Sequence, residues 1–205
     1  LKNIKYIITT HGSCLSNILL NKRYLPLCED AVRTARAITT VSGHTRSRFL
    51  KTFGRTYAKN FYIIPGGVDM KLFPNQVDTS VIEKKYKLKG KKVVLFCGRL
   101  SSEKGARYLI TAAKDIKGEV LIVGEGPEKQ YLSTIVARKK LQNVHLLGYL
   151  LHEEIVDLYY RADVFVAPSV VEEALGLSIL EAMASKTPVI ATRKGGIPML
   201  SLIHI

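Results

Sequence analysis

Features that would indicate several common protein classes are scarce in this sequence of 205 residues. Its three cysteines have neither metal-site nor disulfide-framework spacing, which favours a reduced, cytosolic protein. No apolar run approaches the roughly 20 residues that a membrane-spanning helix needs. Acidic residues number 17 against 31 Lys and Arg, which gives a formal net charge of +14. This charge suggests either an anionic partner or a solvated basic surface.

Sequence patterns of other site types are also missing. No His, Cys or Asp cluster has metal-ligand spacing, and the Gly-x-Ser-x-Gly motif is absent. Aromatic residues are not interleaved with basic ones, as binders of single-stranded nucleic acid require. We therefore expect no metal site and no nucleic-acid partner. Apolar residues make up 47% of the chain, enough for a sizeable core.

Apolar strands alternate with helices in the second half of the chain. The pattern predicts strands over 93–97, 119–123, 144–147, 164–167 and 189–191. Between them it predicts helices over 106–115, 127–140, 153–161 and 177–185. Such alternation is typical of βαβ units with a parallel sheet, which binds ligands at the carboxyl ends of its strands. The candidate site therefore lies in the loops at 98–105, 124–127, 168–176 and 192–198.

The first part of the chain predicts fewer elements. Strands are expected over 6–9, 37–41 and 61–64, and helices over 17–20 and 28–36. Ser42 is an N-cap residue type for a further helix that stops at Gly54. The polar side of that helix holds His44, Arg46, Arg48 and Lys51. It could lie on an anionic membrane, although a solvated charged face is the simpler interpretation.

The segment 168–184 carries the most informative pattern. Gly176 permits a tight turn into a helix, so the amides of Gly176, Leu177 and Ser178 are predicted to bind a pyrophosphate at the helix N-terminus. Glu173 precedes this helix and Glu181 lies about one turn inside it. The carboxylates are expected to grip sugar and ribose hydroxyls. A capping acid and a surface acid are the alternative, which is weakened because Glu181 falls in an apolar, Ala-rich helix.

The Glu-x7-Glu spacing resembles the motif of retaining GT-B glycosyltransferases, in particular glycosyltransferase family 4. The resemblance implies that Glu173 faces the transferred sugar and that Glu181 holds the nucleotide ribose. It also includes a His-Gly pair that borders the donor sugar in the family, which makes His11 a second catalytic candidate. A histidine with a purely structural role at a strand end is the alternative for His11.

A second motif, Gly-Arg-x4-Lys-Gly, follows the strand at 93–97. Its Arg99 and Lys104 can neutralise diphosphate charge without a divalent metal, the Arg by a bidentate contact. In the family that the chain resembles, the matching residues bind the pyrophosphate. We therefore expect no cofactor, and a UDP- or GDP-sugar as substrate.

Two glycine-containing turns give weaker support for a nucleotide-sugar site. Gly124 and Gly126 begin like a dinucleotide fingerprint, but Lys129 replaces the third Gly. They resemble the family's Gly-x-Gly-Pro turn, which lines the nucleotide base pocket, although a structural turn is nearly as good an explanation. After the Gly-Gly pair at 195–196, the chain departs from the family's pattern, because it has Met199 where the family usually has a donor-binding Glu.

Together these features predict an α/β protein of the GT-B type, with two Rossmann-like domains. Residues 1–68 would be the C-terminal part of the N-terminal domain, 69–92 a connector, and 93–199 an incomplete nucleotide-sugar-binding domain. The start without Met suggests a missing N-terminus. Residues 200–205 do not fit the family, and they match one translation frame of the sequencing adapter CTGTCTCTTATACACATC. We therefore expect a non-native tail there.

The expected function is transfer of a sugar from a nucleotide-diphosphate sugar to a hydroxyl group, with retention of configuration and without a metal. The acceptor, a glycan, lipid or small molecule, stays open, and the 205 residues alone are expected to be inactive.

A cytoplasmic location is expected, with peripheral contact at the inner membrane face as an open question. The alternatives are a sugar-nucleotide epimerase of the same fold, a binding module without turnover and, more distantly, an NAD-linked oxidoreductase.

Overall fold

The computed structural model describes residues 4–12, 14, 15, 18 and 21–201, apart from the side chains of residues 22 and 201. The chain forms two compact units. Unit 1 comprises Leu1–Gly66, Glu172–Gly176 and Lys194–Ile205, and unit 2 comprises Gly67–Val171 and Leu177–Arg193. The segment 69–92, which the sequence suggests as a connector, thus belongs to unit 2. Residues 202–205 of the predicted tail lie outside the described residues.

Unit 1 is built on three short parallel strands. They are β1 (Ile7–Thr10), β2 (Ala37–Thr40) and β3 (Phe61–Ile63), in the order β1-β2-β3. The helices of unit 1 whose bounds lie within the described residues are α1 (Leu25–Thr34), α2 (Gly43–Phe53) and α8 (Ile197–Ser201). Helix α1 begins three residues earlier than predicted, because Pro26 in its first turn is compatible with a helix start. Most of the helix predicted over 17–20 lies outside the described residues.

Helix α2 has the ends that the sequence predicts. The Ser42 hydroxyl accepts a hydrogen bond from the Thr45 amide at 3.2 Å, and Gly54 ends the helix with φ +108°. Its buried face packs Phe49 against Phe61, with ring centroids 5.0 Å apart. These rings join Leu15, Val32 and Ile38 in the core of unit 1. The cap and the core together fix the orientation of the helix's polar side.

Unit 2 contains a five-stranded, all-parallel sheet. The strands are β4 (Val93–Cys97), β5 (Glu119–Val123), β6 (Val144–Gly148), β7 (Val164–Ala167) and β8 (Val189–Ala191). The helices are α3 (Ser80–Lys85), α4 (Ala106–Ala112), α5 (Lys129–Arg138), α6 (His152–Arg161) and α7 (Leu177–Ala184). Four strands match their predicted bounds, and β6 is one residue longer. The predicted helix over 106–115 ends as a 3-10 turn at Ala113–Asp115.

The strand order of unit 2 determines where a ligand can bind. The order is β6-β5-β4-β7-β8, so the chain moves outward from β4 in one direction and returns to the other side of β4 at β7. Such a reversal opens a crevice outside the carboxyl ends of the two central strands. The loops after β4 and β7 border this switch point, as the sequence predicts.

Candidate functional site

Backbone hydrogen bonds fix the loop after β4 against the loop after β5. The Gly98 amide donates to the Val123 carbonyl at 3.0 Å, and the Leu100 amide donates to the Glu125 carbonyl at 2.8 Å. Leu100 is buried, whereas Arg99 between these two anchored residues is exposed. Arg99 makes no ion pair within the part of the chain that the structure describes. Its guanidinium is therefore available to an anion at the carboxyl edge of the sheet.

Gly124 and Gly126 allow these two loops to approach closely. Both have positive φ, and a Cβ at either position would overlap a carbonyl oxygen, that of Gly98 or that of Leu100. Only glycine therefore fits this turn. The structure shows why the turn needs its glycines, while their contact with a nucleotide base stays a prediction.

The loop after β4 also contacts the loop after β7. The Val170 amide donates to the Glu103 carbonyl at 2.8 Å, immediately before Lys104. Gly105 follows in the left-handed conformation at φ +70°, and a Cβ there would overlap the Pro168 carbonyl oxygen. Arg99 and Lys104 thus lie on one loop at the switch point, at the edge where the sequence places them.

The N-terminus of α7 lies at the end of the same β7 loop. Gly176 has φ +90°, which permits the turn that starts the helix at Leu177. Leu177 is exposed and Ser178 is half-buried, so the first turn is open to solvent. The unsatisfied amides of a helix start, together with the helix dipole, favour an anion here.

Glu181 is held by a buried tyrosine that the sequence did not indicate. The Tyr159 hydroxyl, on α6, donates to Glu181 Oε2 at 2.9 Å, and Tyr159 is fully buried. Burial raises the pKa of the nearby Cys97, the last residue of β4, to about 11, so its thiol keeps its proton at neutral pH. The Tyr159 hydroxyl orients one carboxylate oxygen of Glu181.

Removal of the Tyr159 hydroxyl is expected to lower the affinity for a nucleotide. We expect Tyr159→Phe to weaken UDP or GDP binding about fivefold to tenfold, because Glu181 loses a hydrogen bond of roughly 1 kcal/mol that orients it. Titration calorimetry measures this. Tyr160→Phe is the matched control, since the Tyr160 hydroxyl donates to the Pro74 carbonyl and not to Glu181. Equal affinities of the two variants would contradict a positioning role for Tyr159.

Glu173 lies in a loop that packs within unit 1. The Gly196 amide donates to the Glu173 carbonyl at 2.7 Å. The preceding Glu172 places Oε2 3.1 Å from His44 Nε2 and 3.4 Å from Arg48 Nη1. Two residues of the basic side of α2 therefore contact this loop and are not simply solvated. Neither the sequence pattern nor the motif indicated these contacts with Glu172.

His11 is exposed at the end of β1, and the buried Gly12 follows it. Gly12 has φ +102°, and a Cβ there would come within 2.9 Å of the Ala174 Cβ. Because Ala174 follows Glu173, the His-Gly pair and the Glu173 loop are neighbours in unit 1. Both predicted catalytic residues thus belong to unit 1, whereas Arg99, Lys104 and Glu181 belong to unit 2.

Neither a metal-binding cluster nor a membrane-spanning helix occurs among the described residues. They contain no group of three or more His, Cys, Asp or Glu side chains that could hold a metal ion. They also contain no helix of the length and apolarity that crossing a membrane requires. Independence of a metal stays a prediction.

Comparison with known proteins decides the family. Residues 78–200 match the family described as Glycosyl transferases group 1. The chain belongs to this family. It is 34% identical over 180 residues to a GDP-mannose-dependent alpha-(1-6)-phosphatidylinositol monomannoside mannosyltransferase of Mycobacterium tuberculosis, covering 78% of this chain and 45% of that protein. It is 30% identical to spore coat protein SA of Bacillus subtilis over 213 residues, covering 94% of this chain and 55% of that protein.

Solved structures of similar proteins share the fold. Anabaena HepE in complex with UDP and glucose matches with a TM-score of 0.84 and 26% identity, over 96% of this chain and 55% of HepE. Sucrose-phosphate synthase from Thermosynechococcus elongatus matches with a TM-score of 0.79 and 26% identity, over 96% of this chain and 52% of that chain. The predicted α/β fold of the GT-B type is confirmed. The chain spans about half the length of the curated relatives named above.

Proposed function

We propose that the protein transfers a sugar from a nucleoside-diphosphate sugar to an acceptor hydroxyl. The observation that carries this proposal is the carboxyl edge of the unit 2 sheet. There Arg99, Lys104 and the open start of α7 lie on the loops that border the switch point. Within one turn of that start, Glu181 is oriented by Tyr159. HepE, which shares the fold, binds UDP and UDP-glucose.

Each residue has a definite role in this proposal. Arg99 and Lys104, with the amides of residues 176–178, hold the diphosphate and stabilise the charge that develops on it as the glycosidic bond breaks. Glu181 accepts hydrogen bonds from the ribose hydroxyls. For Glu173 and His11, the role beside the sugar is the one that the family resemblance implies. Gly124 and Gly126 let the backbone approach the base.

The finer features of the proposal come from the family resemblance. They are retention of configuration, a front-face path in which the leaving phosphate helps to deprotonate the acceptor, independence of a metal, and a cytoplasmic location. The donor is a UDP- or GDP-sugar, and the relatives named above include a GDP-mannose-dependent enzyme. The epimerase alternative is not favoured, because the matching family is one of glycosyltransferases.

The two carboxylates should separate binding from transfer. We expect Glu181→Gln to weaken UDP or GDP binding about tenfold or more, because a charged hydrogen-bond acceptor for ribose is lost. We expect Glu173→Gln to leave nucleotide affinity nearly unchanged but to lower sugar transfer about 100-fold or more. Titration calorimetry on the chain measures binding, and release of UDP from UDP-glucose, or of GDP from GDP-mannose, by the whole protein with an acceptor measures transfer.

The exposed Glu153 on α6 supplies the matched control, because Glu153→Gln removes one carboxylate that is not among the proposed site residues. Nucleotide binding that survives Glu181→Gln as well as it survives Glu153→Gln would contradict the site assignment. Binding without any transfer by the whole protein would support a binding module instead of an enzyme.

A further inference from the structure

A basic groove lies at the edge of the unit 2 sheet opposite the proposed donor site. It has a volume of about 800 Å³ and lies between the residues before β4, the turn between α4 and β5, and the turn between α5 and β6. These segments lead into the amino-terminal ends of the strands. Six lysines and one acid, Glu119, are among its lining residues; we call it the lysine groove. The lysines are Lys91, Lys92, Lys114, Lys117, Lys139 and Lys140.

The acids near this groove already have partners. Glu119 bonds to Lys91 at 2.7 Å and to His145 at 2.6 Å. Burial opposes ionisation of Glu119, but these two partners outweigh it and lower its pKa, so the carboxylate stays charged at neutral pH. Lys92 bonds to Asp163 at 2.7 Å.

The remaining lysines leave an excess of positive charge. Lys114 lies 3.9 Å from Asp115, with both side chains exposed, so this pair is weak. Lys117, Lys139 and Lys140 make no ion pair within the described ranges. The groove therefore has at least three positive charges that internal partners do not neutralise.

The negative dipole charge at a helix C-terminus offsets only part of this positive charge. Lys139 and Lys140 follow the C-terminus of α5, where a cation complements about half a unit of negative dipole charge. Three backbone carbonyls in the turn between α4 and β5, which could repel an anion, accept hydrogen bonds from a single side chain. The Asn143 side-chain amide donates to the carbonyls of Ala113 at 3.0 Å, Ile116 at 3.3 Å and Gly118 at 3.0 Å. These three carbonyl oxygens are thus already hydrogen-bonded and are compatible with an anion in the groove.

We propose that the lysine groove binds an anion in which several phosphate groups lie close together. Lysine ammonium groups are mobile point charges that suit phosphates, each of which carries about 1.5 to 2 negative charges. No arginine and no aromatic side chain is among the lining residues, so neither a bidentate fork nor base stacking is offered. Two sources share this chemistry: a soluble, multiply phosphorylated molecule and the headgroups of an anionic lipid surface.

The test compares two variants that each remove three positive charges. The groove variant is Lys117→Ala/Lys139→Ala/Lys140→Gly, and the control is Lys71→Ala/Lys84→Ala/Lys186→Gly, from exposed lysines outside the lining. Each variant places glycine at one position of positive φ, +51° at Lys140 and +61° at Lys186. Glycine suits both positions, so neither variant should melt earlier than the unmodified chain.

Tripolyphosphate is the first probe. By calorimetry in the presence of saturating UDP or GDP, which occupies the proposed donor site, the groove variant should bind it about tenfold or more weakly than the unmodified chain, since three nearby charges are lost, and the control should bind normally. Phosphatidylcholine vesicles with and without phosphatidylglycerol are the second probe, measured by co-sedimentation. Tripolyphosphate binding indicates the soluble source, and groove-dependent binding to the phosphatidylglycerol vesicles indicates the lipid source.

Two results would overturn the proposal. One is that neither probe binds the unmodified chain. The other is that the groove and control variants lose binding equally, which would reflect net charge alone. UDP or GDP affinity is measured in parallel and should be unchanged in both variants, because neither touches Arg99, Lys104 or Glu181. Loss of nucleotide binding would therefore concern the proposed donor site and not the lysine groove.

Discussion

Replacing Arg99 with alanine is expected to weaken binding of a nucleoside diphosphate about 10- to 100-fold, the usual range for a charge-assisted hydrogen bond to an anion. Binding of the free nucleoside should not change, because the lost contact is to the diphosphate. The expectation rests on the loop after β4, where Arg99 is exposed between two residues with bonded amides, Gly98 and Leu100. Calorimetric titrations with UDP and with uridine, or with GDP and guanosine, separate the two effects.

The contribution of geometry can be separated from that of charge. Arg107→Ala on α4 is the matched control, since it removes the same charge from a side chain that lies over the Tyr108 ring at 4.8 Å. Arg99→Lys should give an intermediate affinity, because the charge remains while the bidentate fork is lost. If Arg99→Ala and Arg107→Ala weakened binding equally, Arg99 would act only through the net charge of the protein.

Replacing Gly105 with alanine is expected to destabilise the protein by about 3 kcal/mol or more, which is at the high end for a single substitution. Two costs combine. The left-handed conformation at φ +70° disfavours any side chain, and the new Cβ would overlap the Pro168 carbonyl oxygen. The loops after β4 and β7 would have to separate, so nucleotide affinity should fall as well. Urea unfolding monitored by circular dichroism gives the change in unfolding free energy.

Gly90 is a close control for this substitution. Its φ is +73°, and a Cβ there would meet no atom within 4 Å. Gly90→Ala should therefore cost only about 1 kcal/mol, the conformational part alone. The difference between the two variants measures how tightly the β4 and β7 loops pack. Equal losses would show that this packing adds nothing at Gly105.

Much of the unit 2 fold was predictable because its central strands, β4 and β5, are apolar runs that are buried along most of their length. β4 is the clearest example, because Val93 to Phe96 are all buried and the half-buried Cys97 ends the strand. Helix ends were harder to place. α4 gives way to a 3-10 turn at Ala113, whose backbone carbonyl accepts a hydrogen bond from the distant Asn143. Such a tertiary contact has no local sequence pattern.

The residues of the candidate site were likewise only partly predictable from the sequence. Arg99, Lys104 and Gly176 follow from the parallel sheet, since the loops after its strands must meet at one edge. Tyr159 did not follow, because a buried tyrosine in an amphipathic helix has the same pattern whether or not it bonds to Glu181. The contacts of Glu172 with α2 escaped prediction for a related reason. They join segments more than 100 residues apart in the printed sequence.

The chain passes between the two units four times, after residues 66, 171, 176 and 193. A single protease cut at any of these connections gives two separate polypeptides, and unit 1 then has segments on both of them. Neither unit can be expressed as one uninterrupted stretch of the gene without losing or gaining a segment. Exchange of whole units between related genes by recombination would require several crossovers. The five residues Glu172–Gly176, which include Glu173, therefore belong to unit 1 but are encoded between two segments of unit 2.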